Sequence, residues 1–302
     1  MIAIPESVVQ MQLAANGEAG RAWLAELPRL IDELRELWSI AELGPAYQGG
    51  CVAYVAPAVL RDRSRAVLKL SLPDGETDCE ADALAVWNGN GAVRILESDP
   101  GRGAMLLERL EPGTPLAALP DREAAIGIAC SLLRRLWVPV PAAHPFQSTA
   151  KLAQQYVATL PKQYSAAGRP FDYGLLARAV ELCRQFAQDA APLTMANRDF
   201  HLGNILAARR EPWLVIDPKP LVGDPAFDAA HFIRSLLPDP ITNPDFECLV
   251  STVAARLGLS ERRIAEWVFV RSVENALWSI STGDRDIQWD VACAQSAAPF
   301  CS

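Results

Sequence analysis

Apolar residues recur at three- and four-residue spacing through Trp23, Leu24, Leu27, Leu30, Ile31, Leu34 and Leu37, with Glu and Arg between them, and predict a helix over 18–40. Pro28 falls inside that stripe and predicts a kink or two abutting helices, because its ring removes a backbone donor. The period then changes. Residues 51–60 and 65–72 are β-rich, and the charged turn Arg61-Asp62-Arg63-Ser64 separates them. Helical spacing returns over 78–88 and stops at Asn88-Gly89-Asn90-Gly91, a helix-end and turn signal. Two short strands, 92–97 and 105–110, follow on either side of Asp99-Pro100-Gly101-Arg102-Gly103. Residues 46–110 therefore predict a small antiparallel sheet carrying one helix.

Beyond Glu111-Pro112-Gly113 the pattern is mainly helical, over 121–137, 149–160, 172–190, 225–237, 245–256, 260–280 and 284–296. A short β-like stretch, 193–217, interrupts it. The predicted class is α+β. Residues 1–110 form an N-terminal lobe, with a helical extension over 1–45 before the sheet and its helix. Residues 111–302 form a larger helical lobe. No repeat or low-complexity tract appears.

Composition narrows the class further. With 50% apolar and 21% charged residues among 302, the chain is globular rather than disordered. The net charge of −8 argues against non-specific nucleic-acid binding, which needs clustered Lys and Arg. Residues 1–112 hold 17 acids and 10 bases against 19 and 18 in the remainder, so the excess says little about a C-terminal site. Seven cysteines without a C-x-x-C pair fit reduced thiols better than a disulfide framework or a zinc site. The first residues lack a secretory pattern, and no apolar run reaches the ~18 residues of a membrane span. The expectation is a soluble, cytoplasmic protein with no membrane or nucleic-acid partner.

Chemistry concentrates in Asn197-Arg198-Asp199-Phe200-His201-Leu202-Gly203-Asn204 and in Trp213-Leu214-Val215-Ile216-Asp217-Pro218. Asp199 and Asn204 are five apart in a loop, and Asp217 ends an apolar strand. Phosphoryl transfer needs such a set: one carboxylate to orient a hydroxyl and accept its proton, and an amide and a carboxylate to hold Mg²⁺. Arg198-Asp199 with Asn204 fits the pattern R-D-x-x-x-x-N. Each residue alone also suits a turn; the three together favour chemistry.

Residues 197–204 resemble the H-G-D-x-H-x-x-N motif of aminoglycoside phosphotransferases, with Asn197 where His is usual and Arg198 where Gly is usual. The run Ile216-Asp217-Pro218 through Gly223-Asp224-Pro225 to Asp228 is similar to that of the streptomycin 6-phosphotransferase and hydroxyurea phosphotransferase branch. So are Ala66-Val67-Leu68-Lys69 and Gly89-Asn90-Gly91-Ala92-Val93-Arg94-Ile95-Leu96. The likeness spans roughly residues 46–235. It implies a protein-kinase-like two-lobed fold and transfer of the γ-phosphoryl of ATP or GTP, with Mg²⁺, to a small-molecule hydroxyl. The acceptor it implies is an aminoglycoside or a hydroxyurea-type compound, with antibiotic resistance as the consequence. A metabolic kinase of a sugar or amino alcohol and a non-catalytic nucleotide-binding pseudokinase are the alternatives.

In that frame Asp199 is the catalytic aspartate, and Asn204 and Asp217 hold the metal. Arg198, His201 and Asp228 support the loop. Asp224 before Pro225 reads as a helix cap. Lys69, one of four lysines, lies inside an apolar strand; it either snorkels from a sheet edge or holds the nucleotide phosphates. Glu80 is its partner, with Glu76 as runner-up, although Thr77-Asp78-Cys79-Glu80 is also a capping box. Gly49 and Gly50 occupy the place of a phosphate-covering hairpin. The backbone from Glu108 to Leu110 is the expected adenine-binding hinge. Glu274 and Trp278, one turn apart, offer a carboxylate and an aromatic wall to a cationic sugar, or simply form a solvated helix face. Neither G-x-G-x-x-G nor G-x-x-x-x-G-K-[ST] occurs.

Overall fold

A helical segment opens the chain. Helix α1 (Glu6–Leu37) runs through Pro28, and its only non-helical residue is Gly17, at φ 52 and ψ −118. The two abutting helices expected from Pro28 therefore meet at Gly17, where a positive φ meets no side-chain clash. The computed structural model describes residues 2–48, 52–73, 78–189, 194–283 and 286–301.

The chain divides into two compact units, Met1–Thr114 with Leu206–Lys219, and Pro115–Ile205 with Pro220–Ser302. In the first, α1 leads through Ser39, at φ 54, into β1 (Ile40–Leu43), a strand the helical reading of 18–40 misses. Then come β2 (Tyr54–Leu60), β3 (Arg65–Leu70), α2 (Asp78–Trp87), β4 (Ile95–Asp99) and β5 (Ala104–Glu108). The five strands form an antiparallel sheet in the order β1-β2-β3-β5-β4.

Alternation decides which face of that sheet does what. Tyr54, Ala56 and Ala58 lie opposite Leu70, Leu68 and Ala66, and Leu68 lies opposite Leu106. All are buried in one cluster with Trp23, Leu27, Ile31 and Leu34 of α1. Lys69, paired with Val55 and Met105, points to the other face.

The second unit contains α3 (Arg122–Leu136), α4 (Thr149–Ala166), α5 (Tyr173–Phe186), β6 (Met195–Asn197), and the short strands β7 (Ile205–Ala207) and β8 (Trp213–Val215) leave it for the first. It resumes with β9 (Pro220–Val222), α6 (Pro225–Leu236), α7 (Asn243–Leu257), α8 (Glu261–Ser281) and α9 (Gln288–Ala297). Asp121, Ser148, Asp172, Asp224, Thr242 and Ser260 each cap a helix through a side-chain oxygen. Helix α8 is the core of this unit, burying Trp267, Phe269, Val273 and Leu277. The described residues thus give an antiparallel sheet with helices followed by a mainly helical region, the α+β class expected.

Candidate active site

In the first unit a buried lysine gathers two carboxylates. Lys69 Nζ donates to both oxygens of Glu80 at 2.8 and 2.6 Å, and to Asp217 Oδ1 at 2.5 Å. Lys69 is 7% exposed and Glu80 3%, whereas the Asp217 side chain is 49% exposed. Burial alone would lower the lysine, but the Glu80 and Asp217 carboxylates outweigh it and hold the ammonium charged above its ordinary range. Lys69 does not snorkel to water from a sheet edge; β3 lies between β2 and β5.

Asp217 arrives from far along the chain through backbone pairing. Val215 N–H donates to the Gly91 carbonyl, and Val93 N–H to that of Val215, at 2.9 and 2.8 Å. These bonds fasten β8 beside the end of α2. Asp217 follows in the left-handed region at φ 51, a conformation Asp tolerates better than most residues.

The same unit holds the end of β5 by an arginine no motif indicates. Arg210, in the β7–β8 turn, donates from Nε and Nη2 to the Glu108 carboxylate at 3.0–3.2 Å. It also donates to the Gly89 carbonyl at 2.8 Å and the Ala92 carbonyl at 3.0 Å. Glu108 is thereby engaged through its side chain. Leu110, two residues on, is buried, and among the described residues its backbone forms no hydrogen bond. An open N–H and C=O at a buried position fit the edge of a purine. Gly49, Gly50, Glu76 and Thr77 lie outside the described residues.

The second unit carries the loop from Arg198 to Asn204. Strand β6 pairs with β9 through Met195–Val222, Ala196–Leu221 and Asn197–Pro220. Asn197 N–H donates to Asp228 Oδ1 at 2.9 Å, and Asn197 Oδ1 accepts from Asp199 N–H at 3.1 Å. Phe200 is fully buried edge-on to Phe232, with ring centroids 5.5 Å apart. His201 Nδ1 accepts from Gly203 N–H at 3.1 Å and so caps the turn Leu202–Asn204. Asn204 Nδ2 donates to the Asp199 carbonyl at 3.1 Å. With the Nδ2 end so engaged, the oxygen end of the Asn204 amide is a hard donor of the kind that could hold Mg²⁺.

Asp228 is fully buried and its second oxygen accepts from Trp137 Nε1 at 2.9 Å. Burial pushes its carboxyl up to about 7, against the pull of these two bonds. Asp224 caps α6 through Ala226 N–H and accepts from Arg263 Nε at 2.6 Å and Trp267 Nε1 at 2.7 Å. Gly223, at φ 135, is required here, since a Cβ would sit 2.2 Å from Thr149 Oγ1.

Other side chains near Asp199 come from positions outside the motifs. His231 of α6 has Nε2 3.6 Å from Asp199 Oδ1. Arg271 of α8 donates to Glu274 Oε2 at 3.0 Å and to the Tyr156 hydroxyl at 3.1 Å, and Asp199 acts on its charge. Tyr156 is buried, which pushes its phenol up to about 12. Glu274 is therefore ion-paired, whereas Trp278 is 54% exposed. The two share a helix but not an environment.

The fold is that of kinase-like small-molecule phosphotransferases. A choline kinase from Streptococcus pneumoniae matches with a TM-score of 0.61 at 12% identity, over 91% of this chain and 99% of that one. Spectinomycin phosphotransferase, solved with ADP and spectinomycin, matches with a TM-score of 0.57 at 12% identity, over 90% and 93%. The sequence goes further than the fold. Streptomycin 6-kinase of Streptomyces glaucescens is 38% identical over 287 residues, covering 94% of this chain and 92% of that protein. Hydroxyurea phosphotransferase of Kitasatospora aureofaciens is 36% identical over 288 residues, covering 94% and 82%. Residues 38–283 match the model of the aminoglycoside/hydroxyurea antibiotic resistance kinase family. The chain belongs to that family and is an ATP-dependent phosphotransferase with a hydroxyl acceptor. Among the described residues, no helix is long and apolar enough to cross a membrane.

Proposed function

We propose that the protein moves the γ-phosphoryl of ATP to a hydroxyl of an aminoglycoside of the streptomycin type or of a hydroxyurea-type compound, and so confers resistance. The observation that carries this reading is the 38% identity to a streptomycin 6-kinase across almost the whole chain, with Lys69, Asp199, Asn204 and Asp217 all in place. Asp199 orients the acceptor hydroxyl and takes its proton. Lys69, held charged by Glu80, binds the nucleotide phosphates. The open backbone at Leu110 receives the purine, and Glu108 keeps that strand end in place through Arg210. Asn204 Oδ1 and the Asp217 carboxylate would hold Mg²⁺, which when bound neutralises charge developing on the phosphates. Arg198, His201 and Asp228 support the loop.

A coupled ADP-release screen with Mg²⁺-ATP tests this directly, using streptomycin, other aminoglycosides, hydroxyurea and small amino alcohols. Turnover with streptomycin or hydroxyurea, lost by about 10²–10⁴-fold in kcat in Asp199→Asn with nucleotide Kd unchanged, is the expected result. Turnover with the amino alcohols alone would replace the acceptor assignment. An unaffected kcat in Asp199→Asn would overturn the mechanism.

A further inference from the structure

Helix α6 meets the catalytic loop twice along one face. Asp228 accepts the Asn197 N–H, and His231, three residues further, brings Nε2 to 3.6 Å from Asp199 Oδ1. Residues three apart share a helix face, so one helix both anchors the strand before the loop and addresses its aspartate. The two side chains are similarly sheltered, at 21% and 22% exposed. Phe200, between the motif's charged residues, is locked against Phe232 on the same helix, which fixes the loop's distance from α6. The separation exceeds a formed hydrogen bond. Contacts of this kind are often long without substrate and tighten when it binds.

From this geometry we infer that His231 is a positioning residue for Asp199. Its Nε2 holds the Oδ1 oxygen by a charge-assisted contact, which turns Oδ2 toward the acceptor hydroxyl. The backbone bond from Asp199 N–H to Asn197 Oδ1 fixes the main chain, and the approach of His231 from α6 acts on the carboxylate itself. This inference rests on Asp199 being the catalytic aspartate, and the tests are chosen to separate the two.

In His231→Ala the kcat with streptomycin, or with hydroxyurea if that is the acceptor turned over, should fall about tenfold, the worth of one such contact. KM for ATP and the thermal midpoint should stay near wild type. His231→Gln restores a donor near the Nε2 position and should recover kcat to within about threefold. In the Asp199→Asn background, His231→Ala should add little, because residues acting as a unit are not additive. A readout without turnover uses the three histidines of the chain. In ¹⁵N-histidine-labelled protein, Asp199→Asn should move the His231 imidazole signals while those of His144 stay in place. Unchanged kcat in His231→Ala, a full additional loss in the Asp199→Asn background, or unmoved His231 signals would each overturn the positioning role. Asp199→Asn without effect would instead sink the catalytic assignment itself.

Discussion

Lys69 Nζ is bonded to both carboxylate oxygens of Glu80, eleven residues away and in another element, with 7% and 3% of the two residues exposed. A pair this buried couples function to folding. Removing one partner leaves an uncompensated charge in the interior, at a cost of about 3–5 kcal/mol. Lys69→Met should therefore lower stability by about that amount in urea titrations as well as nucleotide use. The double variant Lys69→Met/Glu80→Leu should regain most of the stability and none of the activity. Recovery of ATP turnover in the double variant would show that the pair serves folding alone.

Asp217 combines a strained backbone with a half-exposed carboxylate. Asp217→Ala should abolish Mg²⁺-dependent turnover and also cost about 1 kcal/mol, since Ala is less tolerant of φ 51. Asp217→Asn keeps the conformation and should melt close to wild type while remaining far less active. Equal activity of Asn and wild type at saturating Mg²⁺ would exclude a carboxylate ligand at this position.

The buried Asp228 predicts a pH dependence of stability with a definite sign. Its carboxyl is raised from the ordinary 3.8 to about 7 by burial. The folded state therefore holds this proton between those values while the unfolded state has released it. Its contribution is full below about pH 4 and is lost as pH rises through 7. The change is on the order of 4 kcal/mol, from roughly three pKa units. Denaturant titrations from pH 4 to 8 should show a falling component that disappears in Asp228→Asn. A slope unchanged by that substitution would place the titration elsewhere.

Arg210 should matter for nucleotide affinity more than its position in a turn suggests. Arg210→Ala strips the Glu108 carboxylate and the Gly89 and Ala92 carbonyls of their donor. A destabilisation of about 2 kcal/mol is expected, the worth of a charge-assisted bond in a partly solvated site. The Kd for ATP should rise several-fold with kcat little changed. Arg210→Lys should recover little, because an ammonium cannot reproduce the planar fork. Wild-type nucleotide affinity in Arg210→Ala, measured by calorimetry, would remove this residue from the binding site's support.

Local pattern in the sequence determined a good deal. The period change between α1 and β2, the alternation that sets Lys69 opposite the α1-facing side of β3, and the Asp224-Pro225 start of α6 all follow from side-chain direction and backbone chemistry within a few residues. The motif from Asn197 to Asn204 points to hydroxyl activation and a hard cation, because that chemistry would demand particular atoms at short spacing. Only tertiary structure decided the rest. No periodicity tells that residues 206–219 return to the first unit, because that depends on Val215 pairing with Gly91 and Val93. Glu80 could satisfy a helix end or a lysine, and burial of both its oxygens against Lys69 settled its partner. Arg210 and His231 carry no spacing signal at all. Their places are set by which elements pack together, and packing is a property of the whole chain rather than of any window along it.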